Sequence, residues 1–220
     1  MTKSAHKIFL VDDHPLFRQG VASLINRQPG FKVCGEAESA GEALAAMSEQ
    51  EPDAAVVDLS LKNGSGLDLI RSMKARLPAT AVVVLSMHDE RHYAERSVRA
   101  GARAYVMKSE TPNTVIEALS HVLNGQLYLS EQMRAYAVEK FVQGGPASVP
   151  EPQDVLSNRE LEVFKLLGQG LETRRIAEIL GLNIKTVQTF CAKIKDKLHL
   201  ANASELMRES VRWAQSGDVI

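Results

Sequence analysis

The sequence predicts an α/β protein with a doubly wound, five-stranded parallel sheet, followed by a small all-α domain of four helices. Three observations carry this. Short Val-rich apolar runs alternate with segments of helical period up to about residue 124, a glycine- and proline-rich stretch occupies 144–154, and only helical periodicity follows Val155. Continuous apolar runs of this length suit strands buried on both faces, with the helices as crossovers between parallel neighbours. At 220 residues the chain can fill two modest cores.

The expected strands, in order, are "KIFLV" (7–11), "KVCGEA" (32–37), "AAVVD" (54–58), "AVVVLS" (81–86) and "AYVMK" (104–108). Between them lie "SAGEALAAMSEQ" and "GLDLIRSMKARL", the second with Ser65 as its N-cap. Thr111-Pro112 opens a further helix to about Leu123, since proline is at home in a first helical turn. Residues 1–124 thus form the first domain. Residues 125–154 read as a linker with a helix over 129–143, ending in the semi-rigid "GGPASVPEPQD".

Residues 155–220 form the second domain. Ser157 and Glu160 make a capping box before a helix ending near Gly168. Thr173 caps "RRIAEILG", Asn183 caps "IKTVQTFCAKIKDKL", and Asn202 with Glu205 opens the last helix.

Bulk composition is restrained. Twenty-six basic against 27 acidic residues give a net charge of −1, so no global attraction to nucleic acid or membrane is expected. Two distant cysteines, Cys34 and Cys191, make no disulfide framework, which fits a reducing compartment. No secretory leader pattern and no run of membrane-spanning length occurs, so a soluble cytoplasmic protein is expected.

Open parallel sheets bind ligands outside the carboxyl ends of their strands. Those ends carry Asp12 and Asp13 on the first strand, Asp58 on the third, Ser86 on the fourth and Lys108 on the fifth. Three converging carboxylates repel one another unless a cation neutralises them, and hard oxygen donors without thiols favour Mg²⁺. A carboxylate can accept a phosphoryl group, while Lys108 and the Ser86 hydroxyl supply positive charge and a donor for its oxygens. Asp58, on the central strand, is the candidate acceptor.

In the second domain, "TRRIAEILGLNIKTVQTFCAKIKDKL" has the helix, glycine-containing turn and longer helix of a helix-turn-helix. Ile184, Val187, Cys191, Ile194 and Leu198 make one inward stripe on the longer helix. The other side presents Lys185, Thr186, Gln188, Thr189, Ala192 and Lys193, with Thr173 on the preceding helix. These small, amide and basic side chains suit base edges and phosphates of duplex DNA. Residues 184–198 hold four lysines against one aspartate, a local charge of +3. Trp213 reads as core, with a dimer contact as the alternative.

The motifs "LVDDHPLFRQG", "VVDLSLKNGSGLDLI", "VLSMHDE" and "GARAYVMKS" resemble, in order and spacing, the flavodoxin-like receiver domain of two-component response regulators. "LSNRELEVFKLLGQGLETRRIAEILGLNIKTVQTFCAKIKDKLHL" resembles a LuxR-type helix-turn-helix, and the two together resemble the NarL/FixJ subfamily. The resemblance implies phosphorylation of Asp58 by a sensor histidine kinase, with Mg²⁺ at Asp12, Asp13, Asp58 and the Ser60 carbonyl. It implies sensing by Ser86 and Lys108, and a switch residue, Tyr105, that moves inward after them. It also implies a recognition helix from Asn183 and a homodimer when active. Departures are Lys62 where many receivers have proline, Phe190-Cys191 where polar pairs are common, and Arg175 in place of a frequent glutamate. Two other classes use similar residues: an Asp-nucleophile, Mg²⁺-dependent phosphatase, and a regulator whose receiver is an unphosphorylated interaction module. The phosphatase normally carries Asp-x-Asp at its first strand, which Asp12-Asp13-His14 lacks.

Overall fold

The computed structural model describes residues 5–61, 65–142 and 152–216. The chain forms two compact units, Met1–Gly145 and Pro146–Ile220. Lys62 and residues 143–151 of the expected linker lie outside the described residues.

In the first unit, β1 (His6–Val11), β2 (Phe31–Ala37), β3 (Ala54–Val57), β4 (Ala81–Ser86) and β5 (Ala104–Met107) form one parallel sheet in the order β2-β1-β3-β4-β5. The crossover helices are α1 (Pro15–Asn26), α2 (Ala40–Gln50), α3 (Gly66–Arg76) and α4 (Glu90–Ala100), and α5 (Pro112–Leu123) follows the last strand. Side chains alternate across the sheet. Ile8, Leu10, Val56, Val83 and Leu85 join Ala22 and Ile25 of α1 and Val115, Leu119 and Val122 of α5 in one core. Phe9, Val57 and Val84 are equally buried. Ser65 caps α3, accepting from the Asp68 amide at 3.4 Å.

The first unit continues past residue 124, where a linker was expected. Tyr128 bridges to Ala104 beside β5, its amide donating to the Arg103 carbonyl at 2.9 Å. Helix α6 (Glu131–Val142) then starts at Ser130, whose hydroxyl accepts from the Met133 amide at 3.1 Å and donates to the buried Glu90 at 2.6 Å. Backbone pairing and one buried carboxylate hold this segment to the sheet edge and to α4, which a polar composition does not disclose.

The second unit contains a short α7 (Pro152–Val155), within what reads as linker, followed by α8 (Asn158–Gly168), α9 (Thr173–Leu180), α10 (Ile184–Lys197) and α11 (Ala203–Ser216). Leu161, Phe164, Leu167, Ile176, Val187, Ile194, Leu206 and Trp213 are buried. Phe164 and Trp213 meet with ring centroids 5.7 Å apart, so the tryptophan is a core residue. The capping box is complete, and Glu160 Oε2 also accepts from Lys197 Nζ at 2.7 Å, tying α10 to the start of α8. Two local expectations change. Helix α9 is capped by Glu172, whose side chain makes no cap bond, so Thr173 is already inside the helix. Ile184 is 40 % exposed, because the first residue of α10 projects beyond the helices it packs on.

Burial raises the Glu160 carboxyl, but the bonds from Lys197 and from Ser157 outweigh it, and the net position is below the ordinary value. Its contribution to stability is therefore complete above the unfolded value and is lost as pH falls through the folded one. Glu160→Ala is expected to destabilise the second unit by about 1–3 kcal/mol, from the cap and the orphaned donors together. Urea unfolding followed by the single tryptophan, Trp213, reads this unit directly. An unchanged midpoint would remove the tie between α8 and α10.

Candidate functional site

The carboxyl ends of β1, β3, β4 and β5 bring Asp12, Asp13, Asp58, Ser86 and Lys108 to one rim. The three aspartates are 6 %, 5 % and 3 % exposed and Ser86 is fully buried, so these acids are not an ordinary solvated cluster. Asp58 extends β3 by one bond, its amide donating to the Val11 carbonyl at 2.8 Å, and its Oδ1 accepts from the Ser60 amide at 3.1 Å. This bond fixes the turn that carries Ser60. Lys108 Nζ donates to Asp12 Oδ2 at 2.6 Å and to Asp58 Oδ2 at 2.7 Å, and it lies over the Phe17 ring at 4.5 Å. Burial pushes the Asp58 carboxyl up although Lys108 pulls it down. Burial lowers Lys108, yet Asp58 and Asp12 hold it above its ordinary value, so the ammonium form persists.

Two side chains not singled out from the sequence complete the rim. His14 caps α1, its amide donating to Asp12 Oδ1 at 2.9 Å, and its Nδ1 lies 2.8 Å from Asp13 Oδ1 and 3.3 Å from Asp12 Oδ1. Arg18 donates to the Asp12 carbonyl and pairs with Glu36 at 2.9 Å and Glu38 at 2.8 Å, which fixes the backbone under the acidic pair. Adjacency to Asp12-Asp13 was the available signal for His14; Arg18 left none, since its partners come from β2 and beyond.

The switch candidates are linked through His88. Its amide donates to Ser86 Oγ at 3.2 Å, its Nε2 is 2.6 Å from Ser60 Oγ, and its ring stacks on Tyr93 at 4.4 Å. Tyr105 donates its hydroxyl to the His88 carbonyl at 2.9 Å. Burial pushes that hydroxyl well above its ordinary value, although Ser86 pulls it down. The ring is 1 % exposed. Tyr105 is thus buried, with its hydroxyl held by a main-chain carbonyl of the segment that follows Ser86.

One ligand atom each from Asp12, Asp13, His14 and Asp58 falls within 4.8 Å of the others. Such a set, dominated by buried carboxylate oxygens, fits a divalent cation.

In the second unit Lys185, Thr186, Gln188, Thr189, Ala192 and Lys193 are exposed along α10, and Thr173 is half-buried at the start of α9. Asn183 caps α10 by accepting from the Lys185 amide at 2.9 Å. The Thr189 hydroxyl donates to the Lys185 carbonyl at 2.9 Å, which leaves its methyl and oxygen lone pairs for contacts. Lys197, counted in the local charge, is tied to Glu160. Arg175 is paired with Glu178 at 2.9 Å, which offsets the charge it was expected to add, and Arg174 beside it is 81 % exposed.

Residues 8–120 match the response regulator receiver domain, and residues 154–210 match the bacterial regulatory proteins of the luxR family. The oxygen regulatory protein NreC of Staphylococcus carnosus is 32 % identical over 210 residues, 94 % of this chain and 97 % of that protein. A crystal structure of a LuxR-family two-component response regulator from Aurantimonas is 35 % identical, with a TM-score of 0.59, over 63 % of this chain and 99 % of that one. RcsB of Salmonella typhimurium, 22 % identical, shares the fold over 96 % of this chain and 98 % of its own, with a TM-score of 0.62. The sheet, its rim and these matches define a DNA-binding response regulator. More particularly, the chain belongs to the NarL/FixJ subfamily, which joins a receiver to a LuxR-type domain. That family is one of transcription regulators rather than an enzyme class. No helix among the described residues is long and apolar enough to cross a membrane.

Proposed function

We propose that this protein is a transcription factor switched by phosphorylation of Asp58, with a sensor histidine kinase as donor. The observation that carries it is the convergence of Asp12 and Asp58 on Lys108, with Asp13 beside them, at one buried rim. Mg²⁺, held by these three aspartates and the Ser60 carbonyl, would supply the positive charge that lets a phosphoryl group approach a carboxylate. An Asp58 oxygen attacks phosphorus, the phosphorus–nitrogen bond of the donor phosphohistidine breaks, and the leaving imidazole keeps the electron pair and takes a proton. Lys108 then exchanges a carboxylate contact for a phosphoryl oxygen, and the Ser86 hydroxyl turns from His88 to donate to another. Both moves pull on the loop that holds His88, and through it on Tyr105, Tyr93 and the start of α4. Helix α4 carries Glu90 and, through Ser130, α6, so the rearrangement reaches the last described helix of the first unit.

The output is proposed as homodimeric binding of duplex DNA in the cytoplasm, with α10 reading two half-sites. Lys193→Ala is expected to weaken all sequences alike and to reduce the salt slope by about 1. Gln188→Ala and Thr189→Ala should instead change preference, by about 1–3 kcal/mol per discriminated base pair. Binding titrations at several salt concentrations, on a selected site and on random duplex, check both. Preference unmoved by both substitutions would displace the reading face from α10.

A further inference from the structure

The ligands proposed above for Mg²⁺ are all oxygens, but the structure places a nitrogen beside them. His14 Nδ1 lies 2.8 Å from Asp13 Oδ1 and 3.3 Å from Asp12 Oδ1. Neighbouring donors around an ion bound octahedrally at about 2.1 Å sit about 3 Å apart, since an octahedron's edge is its radius times the square root of two. The two His14 separations straddle that value. Opposite corners of the same octahedron are about 4.2 Å apart. The full donor set of Asp12, Asp13, His14 and Asp58 lies within 4.8 Å, so a contraction of at most about 0.6 Å closes it.

Lys108 occupies Asp12 Oδ2 and Asp58 Oδ2, whereas His14 Nδ1 lies against Asp12 Oδ1 and Asp13 Oδ1. The His14 amide is fixed on Asp12 Oδ1 and Pro15 follows it, so backbone geometry, not a long flexible side chain, sets the reach of the ring. The imidazole is 64 % exposed over carboxylates that are 9 % and 5 % exposed. It is an exposed donor beside buried oxygens.

We propose that His14 is a fourth side-chain ligand of the divalent cation, tuning the rim toward ions that accept imidazole nitrogen, such as Mn²⁺, Co²⁺ or Zn²⁺. This rests on the reading of the acidic rim as a cation site. Mg²⁺ is hard and holds oxygen and water, whereas imidazole suits the transition ions. Transition ions outbind Mg²⁺ at many sites, so affinity in the wild type alone decides nothing. The change of preference when His14 is replaced decides it.

The test uses the untagged full chain and His14→Gln, which keeps the amide that caps Asp12. Pulsed electron paramagnetic resonance of bound Mn²⁺ should show coupling to a directly bound ¹⁴N in the wild type and lose it in His14→Gln. Calorimetry should show Mn²⁺ affinity falling about tenfold in the variant, with Mg²⁺ affinity falling far less. Bound Mn²⁺ without ¹⁴N coupling overturns the assignment. So does coupling that survives in His14→Gln, as it would if His88 were the donor, or equal losses for the two ions. If Mg²⁺ binds the wild type and the nitrogen signal is missing, only the His14 assignment falls. If neither ion binds, the cation-site reading falls with it.

Discussion

Asp58→Asn is expected to abolish Mg²⁺-dependent labelling by an acyl phosphate donor, a loss of at least about a hundredfold that no amount of Mg²⁺ restores. The substitution is nearly isosteric, and the asparagine carbonyl can still accept from Lys108 Nζ or the Ser60 amide, which reach the two oxygens at 2.7 and 3.1 Å in the wild type. The rim therefore survives while the nucleophile does not. Asp12→Asn and Asp13→Asn make the necessary contrast. They remove charge that holds the cation, not the attacking oxygen, so their labelling should fall and then recover in part as Mg²⁺ is raised. Mass spectrometry of acid-quenched, borohydride-trapped protein would place the label. Labelling of Asp58→Asn at the wild-type level removes Asp58 as acceptor. A wild type that takes no label under any condition favours the interaction-module reading instead.

Much of this rim was legible because strand ends announce themselves. A buried Val-rich run that stops in a carboxylate sets that charge at the edge of the sheet, and neighbouring parallel strands set their own terminal side chains beside it. The helix caps at Ser65, Ser157, Asn183 and Asn202 were legible for a similar reason, since each side chain answers a backbone amide a few residues away. What the sequence hid depends on contacts that leave no periodic trace. The bond from Ser130 to Glu90 joins residues 40 positions apart and attaches a segment whose composition reads as linker. The inward setting of Tyr105 depends on the carbonyl of His88, a main-chain group that every sequence possesses. Lys197 read as a solvated cation until the fold delivered Glu160 to it. In α10 the 3-4 spacing identified the buried Val187 and Ile194 correctly, but spacing cannot say where the neighbouring helices stop covering the stripe, and Ile184 lies beyond that point.

Gly66→Ala should destabilise the first unit by about 2–4 kcal/mol, at the upper edge of what one added methyl costs in a packed interior. Alanine is ordinarily the better helix residue by about 1 kcal/mol, so the sign of the effect is itself informative. Gly66 begins α3, and a Cβ there would lie 2.2 Å from the Asp58 carbonyl oxygen and 2.6 Å from the Leu59 Cα. Both are backbone atoms and cannot swing aside as a side-chain tip would. The Gly66 amide also donates to the Leu59 carbonyl at 3.1 Å, while Leu67, Ile70 and Met73 anchor the helix in the core. Relief must come either from α3 lifting away from its buried contacts or from displacement of the segment that carries Asp58 and the Ser60 carbonyl. The first route lowers stability, and the second also lowers Mg²⁺ affinity and labelling. Gly20→Ala supplies the control, because Gly20 lies within α1 and a Cβ there meets nothing within 4 Å. That variant should gain about 0.5–1 kcal/mol. At roughly 2–4 °C per kcal/mol for a unit of this size, calorimetric melting should place the two variants on opposite sides of the wild type. Coincident melting temperatures would mean that the close approach of α3 to the strand end is absent, and with it the geometry that sets Asp58 at the rim.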